Sequence, residues 1–79
     1  MKEKHRITIL SENIPMVLYR IAGIFARRKI NIESLVFAEA ENGEAQFTVT
    51  VKIGRATAEQ VSHHIRRIIE VREVSFNEI

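Results

Sequence analysis

The stretch Arg6-Ile7-Thr8-Ile9-Leu10-Ser11 alternates apolar and polar side chains, the period of a half-buried strand, with Ile7 and Ile9 toward the core. Ser11-Glu12-Asn13-Ile14-Pro15 reads as a turn. Pro15 suits the first turn of a helix, because its φ is fixed and it has no N–H to leave unpaired. Val17, Leu18, Ile21, Ile24 and Phe25 then recur at helical spacing, with Arg20, Arg27 and Arg28 off that stripe. The predicted helix runs from about Pro15 to Arg28, and the basic residues of its last turn complement its dipole. Ile30 to Ala40 is rich in β-branched and apolar residues and predicts a strand of imperfect phase. Ile30 and Ile32 share one face, Leu35 and Phe37 the other, so either a bulge shifts the phase or both faces are covered. Glu41-Asn42-Gly43-Glu44 carries Asn-Gly, a hairpin signal, since both residues tolerate positive φ. In the next strand Phe47, Val49, Val51 and Ile53 point one way, and Thr48, Thr50 and Lys52 the other. Thr57-Ala58-Glu59-Gln60 matches a capping box with Thr57 as N-cap. Ala58, Val61, Ile65, Ile68 and Ile69 form the stripe of a second helix, and Val71 to Phe76 a last strand.

The order is β-α-β-β-α-β. Two right-handed crossovers over an antiparallel four-stranded sheet make an α+β, ferredoxin-like sandwich with both helices on one face, one domain over residues 1–79. The other sheet face is bare unless a partner covers it. Leu10, Val36 or Leu35, and the threonines of the third strand are expected there or at the sheet edge. An uncovered sheet face with apolar residues is an association surface. A small core without staples points the same way, toward a homodimer.

Composition removes several chemistries. The 79 residues contain no cysteine, hence no disulfide framework and no thiolate metal site, which fits a cytoplasmic protein. Met1-Lys2-Glu3-Lys4-His5-Arg6 shows no signal-peptide pattern, and no apolar run approaches the ~18 residues of a membrane span. Net charge is +2, and the positive residues are dispersed except for Arg27-Arg28-Lys29 and Arg66-Arg67, so nucleic-acid binding is disfavoured. Arg27-Arg28-Lys29 reads most simply as a solvated helix end, with docking on a partner protein as the alternative. There is no aspartate, so no aspartate-built Mg²⁺ or Ca²⁺ site. His63 and His64 are adjacent on a helix, diverge by about 100° and do not chelate one ion. Tyr19 and Ser34 have no partner that would act as a base. Among occupants of this fold, a metal chaperone needs a CxxC and an acylphosphatase needs an arginine in the first loop. An RNA-recognition domain needs exposed aromatics on its central strands, and Phe47 points to the core.

What remains is the stretch from Asn13 to Leu35: a loop, an amphipathic helix and the start of a strand, with an asparagine at each end of the helix. Asn13 and Asn31 are either turn formers or ligands of a small zwitterion held at free helix N–H groups. Glu12-Asn13-Ile14-Pro15, Val17-Leu18, Phe25-Ala26-Arg27-Arg28, Asn31-Ile32-Glu33-Ser34-Leu35 and Ile68-Ile69-Glu70-Val71-Arg72-Glu73-Val74 together resemble ACT domains. The resemblance is to the regulatory small subunits of acetohydroxyacid synthase (acetolactate synthase), in which the residue after Arg-Arg is glycine or lysine. It implies a homodimer that binds a branched-chain amino acid such as valine at its interface. It also implies a catalytic thiamine-diphosphate large subunit as partner, a place in branched-chain amino acid biosynthesis, and no catalysis or cofactor of the chain's own. Carried over by the resemblance, the ligand positions are Asn13, Ile14, Pro15, Met16, Val17 and Asn31. Met16 stands where the family usually has glycine, which permits close backbone approach, so weak or absent valine binding is expected. The resemblance is to the short members, in which an ACT domain alone is expected to serve as the subunit without the C-terminal domain of many others. A stand-alone ACT-type sensor with another partner is the alternative, and an RNA-binding or assembly module a third reading.

Overall fold

The computed structural model describes residues 3–40 and 42–79; the Glu41 part of the expected turn and the Met1-Lys2 start lie outside the described residues. Six elements follow in the expected order: β1 (Lys4–Ser11), α1 (Pro15–Arg27), β2 (Ile32–Glu39), β3 (Ala45–Lys52), α2 (Arg55–Arg66) and β4 (Val71–Glu78). The sheet order is β2-β3-β1-β4 and every neighbouring pair is antiparallel. This is the ferredoxin-like βαββαβ fold, with β2 and β4 as edges. The chain thus has two ends. The β1–α1 loop, the β2–β3 hairpin and the α2–β4 connection lie at one, and the α1–β2 and β3–α2 connections at the other.

The central strands alternate as their sequences dictate. Ile7 and Ile9 of β1 pair with Val49 and Phe47 of β3, and all four are buried. Against this face pack Val17, Ile21, Ile24 and Phe25 of α1 and Ala58, Val61 and Ile65 of α2. His5 is also buried on this side, and its Nδ1 lies 2.9 Å from the Ile53 carbonyl. A carbonyl only accepts, so Nδ1 carries the proton and donates. Leu18 and Ile69 depart from the expected stripes: Leu18 is 41% exposed and Ile69 90%. Leu18 lies at the margin of the α1 stripe, and α2 ends at Arg66, before Ile69.

The phase of β2 is settled by a bulge. Ile32 opposes Val51, the register slips between Ile32 and Ser34, and Leu35 and Phe37 then oppose Val49 and Phe47 on the helix side. The extra residue moves the apolar set to the other parity without leaving the core face. Leu35 therefore packs against the core, and it is Val36, with Leu10, Thr8, Thr48 and Thr50, that occupies the face away from the helices. The Asn-Gly turn forms as read: Gly43 has φ 84, and the Asn42 side chain bonds both the backbone N–H and the carboxylate of Glu44.

The helix ends are asymmetric. After α1, the Ile30 N–H reaches the Phe25 carbonyl at 3.0 Å and the Lys29 N–H the Ala26 carbonyl at 3.0 Å, with Lys29 at φ 57. This is a Schellman stop whose left-handed residue is a lysine, and left-handed backbone costs a residue with a Cβ about 1–2 kcal/mol. Lys29→Gly should therefore stabilise the domain by about 1 kcal/mol, measured as a higher urea midpoint. At α2 the capping-box reading fails. The helix begins at Arg55, Gly54 holds the N-cap with an extended backbone, and no side chain caps it. The Ala58 N–H already bonds the Gly54 carbonyl at 3.0 Å, so Thr57 sits inside the first turn. Gln60 turns instead toward α1, where its Oε1 accepts from Arg28 at 3.3 Å.

One buried side-chain polar atom is left without a partner among the described residues, the Ser62 hydroxyl on the core side of α2. A buried hydroxyl without a bond costs about 1–3 kcal/mol, and serine is a poorer helix former than alanine. Ser62→Ala should raise stability by about 1 kcal/mol, seen as roughly 4–8 °C in the thermal midpoint. A lower midpoint would show that the hydroxyl is satisfied in solution.

Candidate functional site

The loop into α1 is held from outside. The Glu12 N–H donates to the Glu70 carbonyl at 3.0 Å, and the Ser11 hydroxyl to the Glu12 carbonyl at 2.9 Å. The Glu70 carboxylate takes Arg20 of α1 at 2.9 Å. Glu70 thus clamps the loop with its backbone and the helix with its side chain. Its part could not be read locally, since the partners lie 50 residues apart in sequence.

The clamped loop presents an uncapped helix start. Ile14 is the N-cap and offers no side-chain bond, Pro15 follows without an N–H, and no acidic residue lies in the first turn. The Val17 N–H turns back on the Ile14 carbonyl at 3.2 Å, while the Met16 N–H has no partner among the described residues. An open N–H at the positive end of a helix can donate to a carboxylate. The Asn13 side chain is exposed beside it. Val17 is fully buried and contributes backbone only, whereas Met16 is 52% exposed and stands at the mouth of the loop.

Large exposed apolar side chains gather at this same end of the fold. Ile14, Met16, Leu18 and Tyr19 lie on or before the first turns of α1, Phe37 lies near the end of β2, and Ile69 precedes β4. Exposed apolar side chains of this size, where they are contiguous, suit association.

The structure brings Asn13, Ile14, Pro15, Met16 and Val17 together, and it does not bring Asn31 to them. Asn31 follows the other end of α1, whose 13 residues span about 20 Å. There Asn31 lines a groove of about 780 Å³ with Arg28, Lys29, Lys52, Thr57 and Gln60. Glu33 is its one carboxylate, 3.2 Å from Lys4 and 3.4 Å from Lys52. Desolvation would raise the Glu33 pKa, but hydrogen bonds from both lysines and their charges outweigh it and hold the carboxyl below its usual range.

Among the described residues no group of three or more His, Cys, Asp or Glu could hold a metal ion, and no helix is long and apolar enough to cross a membrane. His63 and His64 are both exposed, and the His64 Nδ1 lies 3.5 Å from Arg28.

Comparison with known proteins gives this geometry a family. Residues 7–73 match the AHAS small subunit-like ACT domain. The chain is 41% identical over 73 residues to a "probable acetolactate synthase small subunit" of Archaeoglobus fulgidus, covering 91% of this chain and 46% of the relative. It is 35% identical over 71 residues to the acetolactate synthase small subunit of Mycobacterium leprae, covering 89% and 42%. Among solved structures it is similar to the acetolactate synthase small subunit of Thermotoga maritima, with a TM-score of 0.81 and 33% identity, covering 91% of this chain and 45% of that one. The ACT domain of GTP pyrophosphokinase from Chlorobium tepidum superposes with a TM-score of 0.80 at 17% identity, a likeness of fold. The chain spans less than half the length of these small-subunit relatives.

Proposed function

The chain belongs to the ACT domains of acetohydroxyacid synthase small subunits, and from that premise we propose that it is a non-catalytic regulatory subunit. It works on a separate catalytic large subunit and reads a branched-chain amino acid at a site shared between two copies.

The observation that carries this reading is the separation of Asn13 from Asn31 along α1. One copy has the open Met16 N–H, the Asn13 amide and an apolar surround at one end, and the second asparagine at the other. β2 is an edge strand, regular from Leu35 onward. Antiparallel pairing of β2 with the β2 of a second copy turns that copy end for end. The start of the second β2, with its Asn31, then arrives beside the first copy's α1 N-terminus. The carboxylate of the amino acid meets the helix start, the asparagine amides take the remaining carboxylate and ammonium positions, and the aliphatic side chain meets Ile14 and its neighbours. Two such sites form per dimer. Binding there changes the relative placement of the copies, which the large subunit would sense as differential affinity.

Size-exclusion chromatography of the chain with the catalytic large subunit tests the assignment. Co-elution at micromolar concentration is expected. Separate elution at tens of micromolar, in the presence and absence of valine, would remove the partnership.

A further inference from the structure

At the end of the fold away from the α1 loop, the groove beside Asn31 does not stop at Gln60. A second hollow of about 270 Å³ shares Arg28 and Gln60 with it and continues along α2 past His63 and His64 to Arg67. Together they form one trough between the end of α1 and the outer side of α2. Its charge is one-sided. Arg28, Lys29, Lys52 and Arg67 line it, and the one carboxylate, Glu33, is already held between Lys4 and Lys52. Arg28 meets the Gln60 Oε1 at 3.3 Å and the His64 Nδ1 at 3.5 Å, and neither partner brings a carboxylate to cancel its charge. Lys29 and Arg67 have no carboxylate partner among the described residues. Lys29 moreover holds its cation at a left-handed position (φ 57), where glycine is the less strained residue.

We propose that this trough is the docking site for an acidic polypeptide segment of the catalytic large subunit, whose carboxylates pair with Arg28, Lys29 and Arg67. The inference rests on the regulatory-subunit reading for the identity of the partner, and on the trough alone for the chemistry. Two joined hollows lined by four cations are longer than one small anion requires, and an extended chain with several carboxylates fills them. Nucleic acid fits less well. No phenylalanine, tyrosine or tryptophan lines either hollow, so a splayed base finds only His63, His64 and the arginine planes to stack on. The charges are exposed, so their contribution falls with salt and shows mainly in association rate and specificity.

The test uses two binders of the intact chain at low ionic strength: fluorescein-labelled hexaglutamate, followed by anisotropy, and the catalytic large subunit, followed by co-elution. Lys29→Gly should weaken hexaglutamate binding roughly threefold, the size of one exposed charge pair, while raising the urea midpoint, so the loss cannot come from unfolding. Lys29→Gly with Arg67→Glu should weaken it more than tenfold and abolish co-elution. Arg6→Glu on β1, outside the trough, should leave both intact. Hexaglutamate binding insensitive to the double variant would overturn the proposal. So would retained co-elution of that variant with the large subunit, or an rU12 oligonucleotide that binds more tightly than hexaglutamate and displaces it. If the natural chain binds hexaglutamate through these residues yet never co-elutes with the large subunit, the trough chemistry stands and the regulatory-subunit assignment falls.

Discussion

Replacing Phe25 by alanine should leave the domain close to unfolded. Phe25 is among the largest fully buried side chains, at 1% exposure, and packs with Ile21 and Ile24 of α1 against the sheet. Its carbonyl also receives the Ile30 N–H that closes the helix, so the ring lies under the stop that directs the chain into β2. Phenylalanine-to-alanine changes in cores cost about 3–5 kcal/mol through lost burial and the cavity left behind. Domains have roughly 0.05–0.15 kcal/mol of stability per residue, so one of this size has little to spare. Urea unfolding should show the midpoint falling by about 2 M or more, given slopes of about 1–3 kcal/mol per molar. Tyr19→Ala, on the outer side of the same helix at 75% exposure, should change stability by under about 0.5 kcal/mol. A loss of less than about 1 kcal/mol at Phe25 would mean that the core does not centre on α1.

Met16→Gly should raise affinity for valine about tenfold or more, a gain of roughly 1.4 kcal/mol. The Met16 N–H is the open donor of the first turn, and its own half-exposed side chain stands at the approach to it. Removing that flexible chain lets a carboxylate close on the N–H groups. The cost to the fold is small, because the side chain is outside the core and glycine in a helix costs about 1 kcal/mol at most. Calorimetry on the natural and glycine proteins measures the difference. Tight valine binding by the natural chain, unimproved by glycine, would show that the side chain points away from the site. The glycine variant also allows the shared site to be tested by mixing. Asn13→Ala and Asn31→Ala should each abolish binding alone. An equimolar mixture should recover about a quarter of the sites, since half the dimers are mixed and each mixed dimer keeps one intact site. No recovery on mixing would place both asparagines in one copy's site or in none.

The fold was readable where periodicity is strict. β1 and β3 alternate without a fault, and α1 is bracketed by Pro15 and a basic last turn. The difficulties arose where a local pattern has two physical outcomes. The phase of β2 could be a bulge or a strand covered on both faces, and only its register against Val51 and Thr50 shows the bulge. Thr57-Ala58-Glu59-Gln60 has the pattern of a capping box, but Gly54 already accepts the first helical bond, so the helix starts earlier. Leu18 and Ile69 are apolar and at helical spacing, yet they face solvent at the α1 N-terminal end, because spacing does not distinguish a core from a surface awaiting a partner. The candidate site is a string of residues in the sequence, Asn13 to Asn31, of which the structure keeps Asn13 to Val17 at one end of α1 and leaves Asn31 at the other. What sequence could not supply was long-range support: Glu70 holding both Glu12 and Arg20, and His5 donating to Ile53 from 48 residues away.

If the chain regulates a separate enzyme, acetolactate formation by the catalytic large subunit should respond to increasing amounts of it. Turnover should rise several-fold and saturate at a fixed stoichiometry, while the chain alone forms no acetolactate. Turnover that stays flat across the whole titration would contradict that regulation.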